Sequence, residues 1–253
     1  MRKIEGMSVL ITGGGSGIGE AAARRLAALG ARVTISGRRQ DKIDAAAASI
    51  GPNCRAVAGD VTKAADRARM IEAALAHGGG LQALVNNAAN MYRGPIAELD
   101  EAKILDLFNT NVVAGMMLTG LASGHLARQG GAVVFVSSVH TLRAYPGASP
   151  YAATKGAVSA LTRVLAAELG AKGICVNCVV PGAVPTELNI RAGLFTEAQH
   201  AARMNAIAPD HALKRVGTPA ELAEAIEYLI RAEWVTGSML VADGGLSLGL
   251  SNF

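Results

Sequence analysis

The stretch "MSVLITGGGSGIG", Met7 to Gly19, decides how the rest of this chain is read. A short apolar run, suited to a buried strand, passes directly into a glycine-rich turn. The residues that follow, "EAAARRLAALG", have helical spacing. Glycines let a backbone turn sharply and approach a phosphate closely, and a helix start offers free N–H groups with partial positive charge. Strand, glycine turn and helix together make an anion cradle, a specific signal only if the surrounding chain alternates in the same way.

The alternation continues. "ARVTIS", "CRAVAG", "LQALVNN", "GAVVFVSS", "GICVNCVVPG" and "SMLVADGG" read as six more strands, and helical patterns cover roughly 17–30, 41–50, 63–77, 100–128, 151–171 and 218–231. Strands that alternate with helices imply right-handed crossovers, and strands apolar at successive positions imply burial on both faces. The expected fold is therefore α/β: a doubly wound, Rossmann-type sheet of seven parallel strands with helices on both faces. It is expected to form a single domain over 1–253, with ligands at the carboxyl ends of the strands. Segment 183–217 contains no convincing strand and is long for a plain connection, so it reads as a substrate-loop insertion able to close as a lid.

Bulk properties narrow the function classes. The 253 residues carry a net charge of +4, with Lys and Arg scattered, which argues against nucleic acid as a partner. Mean hydropathy is positive, but much of it comes from alanine, and no uninterrupted apolar run reaches the roughly 18 residues of a membrane span. The N-terminal stretch does not read as a signal peptide, so a cytoplasmic protein is expected. Of the three cysteines, Cys175 and Cys178 form a C-x-x-C inside a strand-like run. Residues three apart on a strand point to opposite faces, so these are two packed cysteines rather than a redox or metal pair. No histidine–carboxylate spacing suggests a metal site.

The second strand ends in "SGRRQD". An acidic residue there would bind the ribose hydroxyls of NAD; this chain has Gly37, Arg38 and Arg39 instead. Guanidiniums suit a 2′-phosphate, so NADP(H) is favoured over NAD(H). The absence of G-K-[ST] argues against a nucleoside-triphosphatase loop.

"TGGGSGIG", "NNAA", "FNTN", "VSS", "YAATK", "PGAVPT" and "ADGG" occur in this order along nearly the whole chain. The set resembles the short-chain dehydrogenase/reductase family, including its 3-oxoacyl-ACP reductases. The resemblance implies Asn111, Ser138, Tyr151 and Lys155 as catalytic residues, the serine thirteen positions before the tyrosine. It implies cofactor contacts at Gly13, Ser16, Gly17, Ile18, Gly19, Arg38, Asp60, Val61, Asn87, Ala88, Val184 and Thr186, with Tyr151 and Lys155 shared and Arg39 beside Arg38. Ala89 stands where the family usually has glycine; its methyl could crowd the cofactor ribose or alter the turn, and tolerance is expected.

The spacing of Tyr151 and Lys155 places both on one helix face. An ammonium about 4 Å from a phenol is worth roughly 4 kcal/mol at an effective dielectric of about 20, enough to lower a pKa by about three. The expectation is a phenol drawn towards neutral pH, where proton transfer is efficient. The implied activity is hydride transfer between NADP(H) and a carbonyl or secondary alcohol: a 3-oxoacyl thioester, or a ketone of sugar or steroid type. The alternative is a regulatory or scaffold protein that binds cofactor without turnover. His140, Arg143 and Tyr145 fall near the expected substrate entrance, with Arg143 able to pair with an anionic group. Helices 100–128 and 151–171 are apolar on more than one face, which predicts a homo-oligomer; the resemblance implies a tetramer.

Overall fold

"SVLIT", Ser8–Thr12, is buried at every position, as a central strand flanked on both faces must be. The computed structural model describes residues 1–128 and 130–249. Among them are seven strands: β1 (Ser8–Thr12), β2 (Arg32–Gly37), β3 (Cys54–Ala58), β4 (Ala83–Asn86), β5 (Ala132–Val136), β6 (Cys175–Pro181) and β7 (Met239–Ala242). They form one sheet in the order β3-β2-β1-β4-β5-β6-β7, and every neighbouring pair is parallel. The strand order reverses between β1 and β4, which opens a crevice at their carboxyl ends. This is the Rossmann-type sheet read from the sequence.

The helices are α1 (Gly17–Ala28), α2 (Gln40–Ile50), α3 (Ala64–Gly78), α4 (Glu101–Phe108), α5 (Ala114–Leu126), α6 (Ser149–Gly170), α7 (Leu188–Arg191), α8 (Glu197–Ile207) and α9 (Pro219–Arg231). Alternation along each strand divides the core in two. Val9, Ile11, Val85 and Val134 pack with Leu26 of α1 and Ile226 of α9. Leu10, Leu84, Val133 and Phe135 point the other way, into a cluster with Met70, Leu118 and Val158 from α3, α5 and α6. Each strand begins two to four residues after a glycine of positive φ, from Gly6 before β1 to Gly237 before β7. Gly79, for example, ends α3 in the left-handed conformation that an L side chain resists.

Three features refine the sequence reading. The expected helix 100–128 is α4 and α5 joined by a π-turn at Asn109–Val113. The whole run, Glu101–Leu126, is long and apolar enough on average to cross a membrane by length and composition alone, but part of it is buried against the sheet. Segment 183–217 is mostly helical, with α7 and α8 in it. Cys175 and Cys178 are free and buried on β6.

Candidate active site

At the crevice the glycine turn adopts a shape few other sequences allow. Gly13 and Gly17 have φ of 66° and 58°. Gly14 passes so close to β2 that an added Cβ would lie 2.6 Å from Ile35 Cβ. Asn87, just past β4, clasps the turn by donating from Nδ2 to the carbonyls of Thr12 (2.9 Å) and Gly13 (3.0 Å). Ser16 caps α1 without a side-chain hydrogen bond, so the first N–H groups of the helix face the cleft unshielded. A small, uncapped, glycine-lined helix start fits the pyrophosphate of a dinucleotide.

One open cleft, with a volume of about 250 Å³, runs from this turn to α6 and the 183–217 segment. It is lined by Gly13, Ser16, Gly17 and Ile18; by Arg38; by Asp60 and Val61; by Asn87 and Ala88; and by Val184 and Thr186. Ser138, Tyr151 and Lys155 line its other end. Three residues expected at the site lie outside the lining. Gly19 is buried in α1, where a methyl would collide with the Gly13 carbonyl and the Asn87 side chain. Arg39 turns away to an ion pair with Glu187 at 2.7 Å, joining the β2–α2 corner to the 183–217 segment. Asn111 sits in the π-turn, on a small adjoining recess that it shares with Lys155.

Burial works to raise the Asp60 carboxyl, but hydrogen bonds from the Thr62 N–H (2.9 Å) and hydroxyl (2.8 Å), with the charges of Arg38 and Lys63, hold it below its usual value. Asp60 is thus an ionised acceptor on the cleft wall. The methyl of Ala89 brings no backbone strain. Among described non-glycine residues only Lys214 has positive φ, and the Ala89 carbonyl accepts from Arg191 at 3.2 Å.

At the chemical end, Pro150 stands in the first turn of α6, where its fixed φ suits a helix start. Tyr151, the next residue, and Lys155, one turn on from it, are both buried. Lys155 Nζ donates to the Val136 carbonyl at 2.8 Å and lies 5.5 Å from the Tyr151 ring centroid. The expected fall of the phenol towards neutral pH does not occur. Burial pushes Tyr151 up to about 12, against the Ser138 hydroxyl that contacts it, and pushes Lys155 down to about 8. Taking each group out of water favours its neutral form, and the ammonium is directed at the Val136 carbonyl.

Ser138 follows β5 and starts a single turn, Val139–Thr141. Its Oγ lies 3.0 Å from His140 Nδ1 and accepts from the His140 N–H at 3.3 Å. The imidazole packs edge-on to Tyr151 (5.2 Å) and against Tyr145 (4.5 Å). Burial, then Arg93, Arg203 and Lys155, push His140 down to about 4, so the ring is neutral. Asn111 Nδ2 donates to the Asn90 carbonyl (3.0 Å) and to Thr154 Oγ1 (3.1 Å), and its Oδ1 accepts from the Asn90 N–H at 2.8 Å. Arg143 is engaged with Asp210 at 3.2 Å and with the Leu246 carbonyl. The sequence reading missed Arg93 and Arg203, which line the substrate end. Their only sequence signal is weak, basic residues shortly after β4 and in the long segment.

Known proteins resemble this chain along most of its length. The family model for short chain dehydrogenase matches residues 7–194. A Streptomyces violaceoruber protein named "Granaticin polyketide synthase putative ketoacyl reductase 2" is 36% identical over 94% of this chain and 95% of its own. Human "Dehydrogenase/reductase SDR family member 4" is 34% identical over 93% and 86%. A crystal structure of a short-chain dehydrogenase/reductase of unknown function from Caenorhabditis elegans, with cofactor, superposes with a TM-score of 0.93 at 28% identity, covering 98% of each chain.

Proposed function

The chain belongs to the short-chain dehydrogenase family and is an NAD(P)-dependent oxidoreductase of CH–OH and C=O groups; from that premise we propose that it is an NADP(H)-dependent carbonyl reductase. The observation that carries the reading is the meeting of Ser138, Tyr151 and Lys155 in the same cleft as the uncapped glycine turn. Arg38 on the cleft wall supports a 2′-phosphate, and Asp60 supports an adenine contact. When bound, the nicotinamide supplies the hydride. The protein's part is positioning and proton transfer. With His140 Nδ1 as donor, Ser138 keeps its own proton for the substrate oxygen. Tyr151, fully protonated at neutral pH, gives its proton to that oxygen as the carbonyl becomes an alcohol. Lys155 and Asn111, which share the small recess, are assigned to return the proton to the phenol.

The substrate is a ketone, such as a 3-oxoacyl thioester, with α7 and α8 of the 183–217 segment as its lid; Met204 and Ile207 on α8 give the cleft an apolar wall. The active form is a homo-oligomer, supported by exposed Met116, Met117 and Leu121 on α5. A regulator without turnover is not favoured, since it needs no buried phenol beside a serine and a lysine.

The test is oxidation of NADPH and NADH against a panel of ketones. Tyr151→Phe is expected to lower kcat/KM by about 10²–10⁴-fold, and full retention of activity would remove the phenol from the mechanism. Arg38→Asp is expected to shift preference towards NADH by about tenfold or more, one lost charge-assisted contact being worth roughly 1.5–3 kcal/mol. An unchanged NADPH/NADH ratio would sink the assignment.

A further inference from the structure

Most arginines around the cleft are spoken for. Arg39 pairs with Glu187, Arg143 with Asp210, and Arg191 reaches the Ala89 carbonyl within the field of the Glu187 carboxylate. Arg93 and Arg203 differ. Both line the substrate end of the cleft, and neither has a carboxylate partner among the described residues. Arg93 donates only to the Pro146 carbonyl, at 3.1 Å, and Arg203 stacks over the Phe195 ring at 5.5 Å. Two half-buried guanidiniums that face one cavity repel each other unless an anion lies between them. We propose that Arg93 and Arg203 form an anion subsite for a carboxylate or phosphate group carried by the substrate.

Further observations support it. Burial, followed by the charge of Arg203, makes Arg93 easier to deprotonate than a free guanidinium, so the two charges sense each other without a counter-ion. His140 is held neutral by burial first and then by the charges of Arg93 and Arg203. The carboxylates that line the cleft, Asp60 and Glu187, are engaged by Thr62 and Arg39 at the cofactor end, while Asp210 and Asp243 near Tyr145 are held by Arg143 and by the N–H groups of Gly245 and Ser247. The phenol of Tyr145, close enough to Arg93 for its charge to be felt there, is buried without a hydrogen-bond partner and adds a donor to this end. The site thus selects a ketone with an acidic group a short chain away from the carbonyl. It excludes wholly neutral steroid-type ketones as the preferred class.

The inference rests on the reductase reading, and the experiment separates the two. Acetoacetate is compared with methyl acetoacetate, and dihydroxyacetone phosphate with dihydroxyacetone, in the native enzyme and in Arg93→Met and Arg203→Met. The charged member of one pair is expected to be preferred by roughly tenfold to a hundredfold in kcat/KM, and each variant to bring that ratio towards one. Which pair shows the effect separates carboxylate from phosphate. The second readout needs no turnover. In the presence of NADP⁺, the preferred anion, and not its neutral partner, should protect Arg93 and Arg203 from phenylglyoxal, followed residue by residue by mass spectrometry. Equal kcat/KM within both pairs, with no protection, overturns the subsite while leaving the reductase intact. No oxidation of either cofactor by any ketone overturns the reductase, and protection then still decides the subsite.

Discussion

Tyr151 and Lys155 are displaced in opposite senses by one cause, removal from water: the phenol holds its proton to about 12 and the ammonium gives up its own near 8. At neutral pH the pair therefore carries protons, the state a reduction needs. His140 provides the test of this environment. The unfolded ring takes a proton below its ordinary 6.5, while the folded one resists to about 4, so the unfolded state binds more protons in that window. Stability should fall as pH drops from about 6.5 to about 4, by at most about 3 kcal/mol from this residue. His140→Asn should flatten that part of the profile in denaturant titrations at several pH values. An unchanged slope would mean that the ring is not sheltered. The sequence revealed which residues meet here but not their ionisation, because spacing on a helix fixes a face and says nothing of burial or of the Val136 carbonyl that holds the ammonium.

At the scale of elements, the π-turn between α4 and α5 directs a buried asparagine at a backbone segment. Asn111 satisfies both the N–H and the carbonyl of Asn90 and reaches across to Thr154 on α6. Asn111→Ala leaves those groups without partners at a cost of roughly 1–3 kcal/mol each, and is expected to lower the melting temperature as well as turnover. A stable variant impaired only in turnover would point to a purely chemical role for the amide. Strands and helices were legible in the sequence because period and glycine punctuation agree throughout. The π-turn was not, since one extra residue in a helix leaves no compositional mark. The helix α8 had a signal that went unread: Thr196 and Gln199 form a capping box, each side chain bonding the other's backbone N–H.

At the scale of the molecule, Leu105, Val113, Met116, Met117 and Leu121 make an apolar strip along α4, the π-turn and α5 that a single chain leaves exposed. Light scattering after gel filtration is expected to give a multiple of the chain mass, reduced by Met117→Glu with Leu121→Glu; a native monomer would refute the oligomer. The sheet has a second, quieter asymmetry. The cleft gathers at the carboxyl edge, where Gly13, Asn87 and Ser138 line it just past the ends of β1, β4 and β5. The amino edge is built from left-handed glycines, several of them, such as Gly6, Gly51 and Gly79, with open space around them. One edge is constrained by chemistry and the other by backbone handedness alone. Loops on the first can diverge to admit new substrates while the second keeps the strands in register, so catalytic novelty and architectural inheritance reside on opposite rims of one sheet.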